Sequence, residues 1–165
     1  KIILLLLYFL LVGFCFASQA QVKVKLPKDF TLLPIDNADS AAMMLDVLIK
    51  KQPQKRGTHL YIEANKDCLV RGKNKHYYYE NIVSVSVSKR YREDIAYKSV
   101  SGNLEHFIYD ITFKDRVAGT KGRFRFNDRE LAEKALAALV CLIESKQGNR
   151  VEYVGRKKKV TAGSE

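Results

Sequence analysis

The stretch YYYENIVSVSVS, residues 77–88, carries the most regular pattern in the chain. In its second half valine and serine alternate, which places three valines on one face of a strand and Ser84, Ser86 and Ser88 on the other. Strict alternation of apolar and polar residues is typical of an antiparallel sheet with one buried face and one exposed face. We therefore predict that residues 77–88 form a strand whose serine face is exposed.

The segments on both sides of this strand repeat the period of two. Upstream, residues 58–71 contain two alternating segments joined by a polar turn, and they predict a hairpin. Downstream, alternating aromatic residues over 106–113 and the run RFRF at 123–126 predict a second hairpin, whose turn contains Gly119 and Gly122. We expect the aromatic side chains to point inward and the arginines to point outward.

Two helices flank the strands. Apolar residues recur at i, i+3, i+4 and i+7 spacing over 38–51 and over 128–146, and each segment follows Asp and Asn side chains that can cap a helix. Gly148 is a natural stop for the second helix. With strands over 58–126, the chain predicts an α+β domain. Its sheet is expected to be antiparallel or a partly closed barrel of about 5–7 strands, with a C-terminal amphipathic helix and an additional N-terminal helix.

The first twenty residues have the composition of an export signal. Lys1 precedes an unbroken apolar run over 2–16, and small residues stand three and one positions before a cut after Ala20. The run is shorter than the roughly twenty apolar residues that span a membrane, and a retained anchor is the alternative. We therefore predict a signal peptide over 1–20, a secreted or periplasmic protein of the cell envelope, and no transmembrane segment after cleavage.

The remaining chain has the length of one domain. Residues 21–148 are long enough to bury a core of their own. Residues 149–165 end in the basic run RKKK at 156–159 and a polar tail. We predict a single α+β domain over 21–148 and a basic, disordered tail over 149–165.

Two cysteines, Cys68 and Cys141, remain after cleavage. In an exported protein they can form a disulfide, because thiols are not kept reduced outside the cytosol. Cys68 is predicted in a strand and Cys141 on the back of a helix, so their distance is not fixed by the sequence and their pairing stays open.

The chain is strongly basic, with 29 Lys and Arg against 18 Asp and Glu and a net charge of +11. Much of this charge lies in the predicted strands, in the second hairpin and at the end of the serine-faced strand. If these strands are neighbours, their cations form one positive surface that can hold phosphate or carboxylate groups. The candidate ligand-binding residues are Lys89, Arg90, Arg92, Lys114, Lys121, Arg123 and Arg125.

A positive sheet surface favours an anionic partner. Because the predicted export separates the protein from nucleic acid, the candidate partners are an anionic lipid headgroup, an acidic glycan or an acidic protein surface. The alternative is a solvated charged face that has no dedicated partner.

No motif of catalysis or metal binding occurs in the sequence. The three histidines, His59, His76 and His106, are too far from one another and from the cysteines for a metal-ligand motif. Neither a Gly-x-Ser-x-Gly nucleophile turn nor a phosphate loop ending in Gly-Lys-Ser/Thr is found. We therefore predict a protein that is not an enzyme, with no catalytic residues, no metal and no cofactor. The alternative is a hydrolase with no recognisable motif.

Two stretches resemble a known family. Tyr78-Tyr79-Glu80-Asn81-Ile82-Val83-Ser84-Val85 is similar to the strand that pleckstrin-homology-like domains enter through an aromatic-x-x-Ile step. The run FRFND at 124–128 leads into an amphipathic helix over 131–143, as the last strand and helix of that family do. The resemblance covers roughly residues 57–146 and implies a bent sheet of about seven strands that a C-terminal helix closes at one end.

A cystatin-like layout is the alternative with the same elements. In that layout an early helix, here 38–51, packs across a four- or five-stranded antiparallel sheet, and the helix at 128–146 is additional. It implies a protease inhibitor that blocks an active site with hairpin loops. Of the two we favour the first, and we expect an exported, non-enzymatic binding or scaffolding module.

Overall fold

The computed structural model of the chain describes residues 21–51, 61–72, 75–91, 97–98, 104–117, 119 and 121–154. The predicted signal over 1–20 and the basic run at 156–159 lie outside the described residues. In chain order the elements are β1 (Lys23–Lys25), α1 (Ala38–Lys50), β2 (Tyr61–Ala64), β3 (Cys68–Arg71), β4 (Lys75–Tyr78), a 3₁₀ turn (Tyr79–Asn81), β5 (Ile82–Tyr91), β6 (Tyr97–Lys98), β7 (Leu104–Glu105), β8 (Phe107–Asp115), β9 (Lys121–Phe126), α2 (Arg129–Gln147) and β10 (Glu152–Val154). The α+β class predicted from the sequence is confirmed.

Most of the described strands belong to two sheets. A five-stranded sheet has the order β10-β1-β5-β8-β9, and a three-stranded sheet has the order β2-β3-β4. β5, β8 and β9 pair antiparallel, as do the strands of the smaller sheet, while β6 and β7 form a separate short pair. β1 runs parallel to both β5 and β10. The antiparallel prediction, made for the strands over 58–126, is therefore confirmed for both sheets within that range, while β1 and β10 lie outside it and join the larger sheet in parallel.

Both predicted helices form within one residue of their predicted bounds. α1 follows Asn37, whose side-chain oxygen accepts a hydrogen bond of 2.7 Å from the backbone N–H of Asp39. α2 follows Asp128, which accepts a hydrogen bond of 3.1 Å from the N–H of Leu131. At its other end, Gly148 adopts a φ of 68°, which a residue without a side chain reaches at little cost. Among the described residues, neither helix is long and apolar enough to cross a membrane.

α2 lies at the centre of the hydrophobic core. Residues 135–140 are buried without a break, so that neighbours cover more than a full turn of the helix. α1 packs along α2, and the 3₁₀ turn, β8 and β9 also contact it. The sequence predicts one apolar face for this helix. In the structure the buried part of the helix surface is wider than this one face, because α1 and the sheet both pack on α2.

The predicted strand over 77–88 is interrupted in the structure. It divides into β4, the 3₁₀ turn and β5, and the turn carries the chain from the three-stranded sheet to the five-stranded one. The side-chain amide of Gln147 donates hydrogen bonds to the carbonyl oxygens of Tyr79 at 3.0 Å and Ile82 at 2.8 Å. Gln147, the last residue of α2, therefore provides hydrogen-bond donors for backbone carbonyl groups at the point where the strand is broken.

The segment after α2 is ordered where the sequence predicts a disordered tail. Val151 is buried, and its N–H donates a hydrogen bond of 2.8 Å to Glu144 of α2. Glu152–Val154 then form β10, which pairs with β1. The prediction of disorder from residue 149 is therefore wrong for 151–154. The run VEYV at 151–154 is too short to indicate a strand by itself, and its hydrogen-bonding partner comes from the other end of the described chain.

We predict that Gly122 does not tolerate a larger side chain. It lies within β9 opposite Phe113, and not in the turn as the sequence predicts. A Cβ atom at this position would overlap the ring of Phe113, which itself packs edge-on against Tyr77 with ring centres 5.2 Å apart. Because the ring is held from both sides, we expect Gly122→Ala to lower the free energy of unfolding by about 1–3 kcal/mol in urea denaturation.

The neighbouring variant Lys121→Ala is the control, because Lys121 is exposed on the same strand. Its free energy of unfolding should stay within about 0.5 kcal/mol of the wild type. Equal stabilities of the two variants would contradict the packing argument.

Candidate functional site

The five-stranded sheet turns one face toward the core and the other away from it. Val24, Val85, Ile111 and Phe124 belong to the core face. The side chains that alternate with them point the other way, and we name the surface that they form the outer face. Its members include Lys23, Lys25, Ser84, Ser86, Ser88, Arg90, Asp110, Thr112, Lys114, Lys121, Arg123 and Arg125.

The pairing register aligns these side chains in rows across β5, β8 and β9. The first row is Ser84, Lys114 and Lys121, the second is Ser86, Thr112 and Arg123, and the third is Ser88, Asp110 and Arg125. Arg90 follows at the end of β5. The serine-faced strand and the second hairpin are therefore neighbours, which is the condition under which their cations share one surface. It brings together five of the predicted site residues: Arg90, Lys114, Lys121, Arg123 and Arg125.

Lys89 does not join this surface. Lys89 lies at an odd-numbered position of β5, as Val85 and Val87 do, and therefore points to the same side of the sheet as these buried valines. Its ammonium lies 3.0 Å from the carboxylate of Asp29 and 4.1 Å from the centre of the Phe107 ring. The prediction that Lys89 shares a surface with Arg90 is wrong, because consecutive residues of a strand point to opposite faces. Arg92 lies outside the described residues.

Lys23 and Lys25 belong to the outer face, although the sequence did not indicate them as site residues. β1 runs parallel to β5, with Lys23 opposite Ser84 and Lys25 opposite Ser86. Both lysines are exposed, and Val24 between them is buried. The alternation of valine and lysine is a local signal for a strand, but it does not indicate which strand lies beside it.

Asp110 is the charged centre of the outer face. Its side chain is 5% exposed even though it points away from the core. Arg125 donates to both carboxylate oxygens, with Nε 2.8 Å from Oδ1 and Nη2 3.4 Å from Oδ2, and Arg90 donates from the strand on the other side. Nε of Arg123 lies 4.0 Å from Oδ1. Asp110 therefore holds arginines from two strands in place and offsets part of their charge.

The lysines and hydroxyls of the outer face are available to a partner. Lys23, Lys25, Lys114 and Lys121 are exposed, and no described carboxylate forms an ion pair with them. The hydroxyls of Ser84, Ser86, Ser88 and Thr112 have no hydrogen-bond partner within the described residues. Both sets of groups can therefore bind a ligand without first breaking an interaction with a described side chain.

A second feature is a groove of about 430 Å³ between α2 and the segment that precedes α1. Leu32, Ile35 and Cys141 are among the residues that line it. Burial, together with the carboxylates of Glu144 and Asp36, raises the pKa of the Cys141 thiol, which makes it a poor nucleophile at neutral pH. No histidine is among the described residues that line the groove. The described lining of the groove therefore pairs a weakly nucleophilic thiol with no histidine base, which does not favour covalent catalysis.

Cys68 and Cys141 are both free thiols. Burial also raises the pKa of the Cys68 thiol. Among the residues that the structure describes, no group of three His, Cys, Asp or Glu side chains is placed to hold a metal ion.

The pair formed by Asp29 and Lys89 predicts a pH dependence of stability. Its hydrogen bond with Lys89 and the nearby charge of Arg129 hold the pKa of the Asp29 carboxyl below its usual value of 3.8. A carboxyl whose pKa is lower in the folded state stabilises the fold above that value and loses the effect as the pH falls below it. We expect Asp29→Asn to lower the free energy of unfolding by at most about 1 kcal/mol at neutral pH, because the pair is partly exposed.

Urea denaturation of the wild type and Asp29→Asn across acid pH checks this prediction. The difference between the two proteins should shrink as the pH falls through about 4 and below. A difference that is unchanged between neutral pH and strong acid would contradict the electrostatic origin.

Asp110→Asn should destabilise the sheet. The substitution weakens charge-assisted hydrogen bonds to Arg90 and Arg125 and removes the buried negative charge between them, so we expect a loss of about 1–3 kcal/mol in urea denaturation. Glu152→Gln, on exposed β10 of the same sheet, removes the same charge and should change stability by less than about 0.5 kcal/mol. Equal effects would show that Asp110 does not organise the arginines.

Comparisons with protein-family models, with curated proteins and with solved structures found no match to this chain. Its function is therefore inferred from the chemistry of its own side chains. The candidate binding surface among the described residues is the outer face, where basic residues of four strands lie close together.

Proposed function

We propose that the protein is an exported, non-enzymatic binding or scaffolding module that holds an anionic partner on its outer face. The observation that carries this proposal is the register of β1, β5, β8 and β9, which gathers basic side chains from four strands. These are Lys23, Lys25, Arg90, Lys114, Lys121, Arg123 and Arg125. The described carboxylates that share this face are Asp110 and, at the edge of the sheet, Glu152, so positive charge is in excess.

The electrostatics of such a face favour anions in two ways. The fields of neighbouring cations add, which raises the local concentration of negatively charged groups and speeds their arrival. Lysine acts as a point charge, whereas arginine binds a carboxylate or phosphate group through two parallel hydrogen bonds. Because the strands hold the backbone rigidly, less conformational entropy is lost on binding than for a flexible basic segment.

The partners that suit this surface are an anionic lipid headgroup, an acidic glycan or an acidic protein surface. The export inferred from residues 1–20 makes nucleic acid a weaker candidate than these three. All three present negative charge at a solvated surface, so salt should weaken binding to each of them.

The alternatives receive less support from the contacts of the chain. A cystatin-like inhibitor requires the first helix to lie across the sheet, whereas α1 packs mainly on α2 and on β2. A hydrolase is not favoured, because Cys141 in the groove has a raised pKa and no histidine beside it among the described lining residues. The resemblance to pleckstrin-homology-like domains is carried by strand and helix patterns, and it stays a prediction.

Charge reversal on the outer face tests the proposal. The variant Lys114→Glu with Lys121→Glu changes two exposed lysines that lie opposite each other on β8 and β9. The probes are phosphatidylglycerol vesicles, polygalacturonate and polyglutamate at low salt. We expect the wild type to bind at least one probe with an affinity that falls as salt is added. The double variant should bind that probe roughly tenfold more weakly, because attraction is replaced by repulsion at two positions.

A matched control distinguishes an effect of the outer face from an effect of the lower net charge. Lys51→Glu with Lys134→Glu makes the same change of charge at two exposed positions away from the outer face, one just after α1 and one on α2. This control should bind like the wild type. Equal losses in the two double variants, or a wild type that binds none of the probes, would contradict the proposed function.

A further inference from the structure

The outer face has an internal order that narrows the choice of partner. The hydroxyls of Ser84, Ser86 and Ser88 form a line along β5, and we name this line and its borders the serine lane. Lys23 and Lys25 border it on the β1 side, and Thr112 and Lys114 border it on the β8 side. Lys121 and Arg123 lie on β9, one strand further from β5. Ser84 therefore has a lysine on each side, and Ser86 has Lys25 on one side and Thr112 on the other. Ser88 lies beside Asp110, whose charge Arg90 and Arg125 offset.

The dimensions of the serine lane suit an extended chain. Neighbouring strands are about 4.8 Å apart, so β1 and β8 lie about 10 Å from each other across β5. Successive serines are about 7 Å apart along the strand, and the distance from Ser84 to Arg90 is about 20 Å. A linear polymer that lies along β5 meets hydroxyls beneath it, lysines of β1 and β8 beside Ser84, and Arg90 near the other end of the strand.

The chemistry of the serine lane matches sugar acids. A serine or threonine hydroxyl both donates and accepts hydrogen bonds, as sugar hydroxyls do. The flanking ammonium and guanidinium groups pair with carboxylate or sulfate substituents. An acidic polysaccharide carries both kinds of group along one chain, and the lane offers a partner to each.

A bilayer surface fits the lane less well. Membrane-surface binding usually combines cations with apolar side chains that enter the headgroup region. The large exposed apolar side chains of the described residues lie mostly elsewhere, such as Leu33, Met43 and Val47, and Val154 is at the β10 rim of the sheet. The lane itself presents hydroxyls where a bilayer would favour apolar groups.

An acidic peptide or a nucleic acid also fits less well. An extended peptide gains affinity by hydrogen bonding its backbone to a sheet edge, but β5 and β8 are interior strands whose backbone groups are paired with their neighbours. Single-stranded nucleic acid binds where aromatic side chains stack on its bases, and the outer-face positions of β1, β5, β8 and β9 that the structure describes carry no aromatic residue.

We propose that the serine lane binds an acidic polysaccharide, a polyuronate or a sulfated glycan, that lies along β5. The proposal rests on the proposed function and names the partner of the same surface. The serine hydroxyls give it a test that is independent of charge.

A pair of isosteric variants isolates the hydroxyls. Ser86→Thr with Ser88→Thr keeps both hydroxyl groups, whereas Ser86→Val with Ser88→Val has nearly the same shape and strand preference without them. Binding of the full chain to polygalacturonate and chondroitin sulfate is compared with binding to phosphatidylglycerol vesicles and polyglutamate. Galacturonate oligomers of increasing length report on the extent of the site, and circular dichroism confirms that each variant is folded.

We expect at least one of the two polysaccharides to bind more tightly than the vesicles and polyglutamate, and galacturonate oligomers to bind more tightly as they lengthen until the lane is filled. The threonine variant should bind like the wild type. The valine variant should bind the polysaccharide roughly tenfold more weakly, the effect of losing about two hydrogen bonds.

Two results overturn this inference and leave the proposed function intact. One is vesicle or polyglutamate binding that equals or exceeds polysaccharide binding and that still depends on Lys114 and Lys121. The other is equal polysaccharide binding by the valine and threonine variants. If no anionic probe binds, or if reversal of Lys114 and Lys121 has no effect on binding, the proposed function fails together with the inference.

Discussion

The burial of α2 is the constraint on which the rest of the structure depends. Residues 135–140 are covered over more than a full turn, so α2 needs neighbours on several sides at once. α1 packs along it, and β8, β9 and the 3₁₀ turn also contact it. Its end is attached to both sheets, because Gln147 binds the turn that joins them and Glu144 binds the segment that leads into β10.

The core face of the five-stranded sheet determines what its outer face presents. Once Val85 and Val87 are buried on the side of α2, the pleat of β5 sends its serines to the other side. The same rule separates Lys89, which pairs with Asp29, from Arg90, which pairs with Asp110. The positive surface is therefore held at fixed spacing by the packing of the core beneath it.

Local patterns sufficed where near neighbours in the sequence decide the structure. The helices begin after capping side chains at Asn37 and Asp128, and the inward direction of the aromatic residues in β8 and β9 follows from alternation. Local patterns failed for 77–88, where the break depends on hydrogen bonds from Gln147. They also failed for 152–154, whose partner strand lies at the other end of the described chain.

By itself, the sequence determined the α+β class, the two helices and the outward direction of the serines and hairpin arginines. Only the tertiary structure decided that β1 lies parallel beside β5 and brings Lys23 and Lys25 to the outer face, and that the almost fully buried Asp110 binds arginines from two strands. The physical reason is that the direction of a side chain along a strand is set by the local pleat of the backbone. Which strand lies beside it depends on hydrogen bonds and core burial shared with residues far away in the chain.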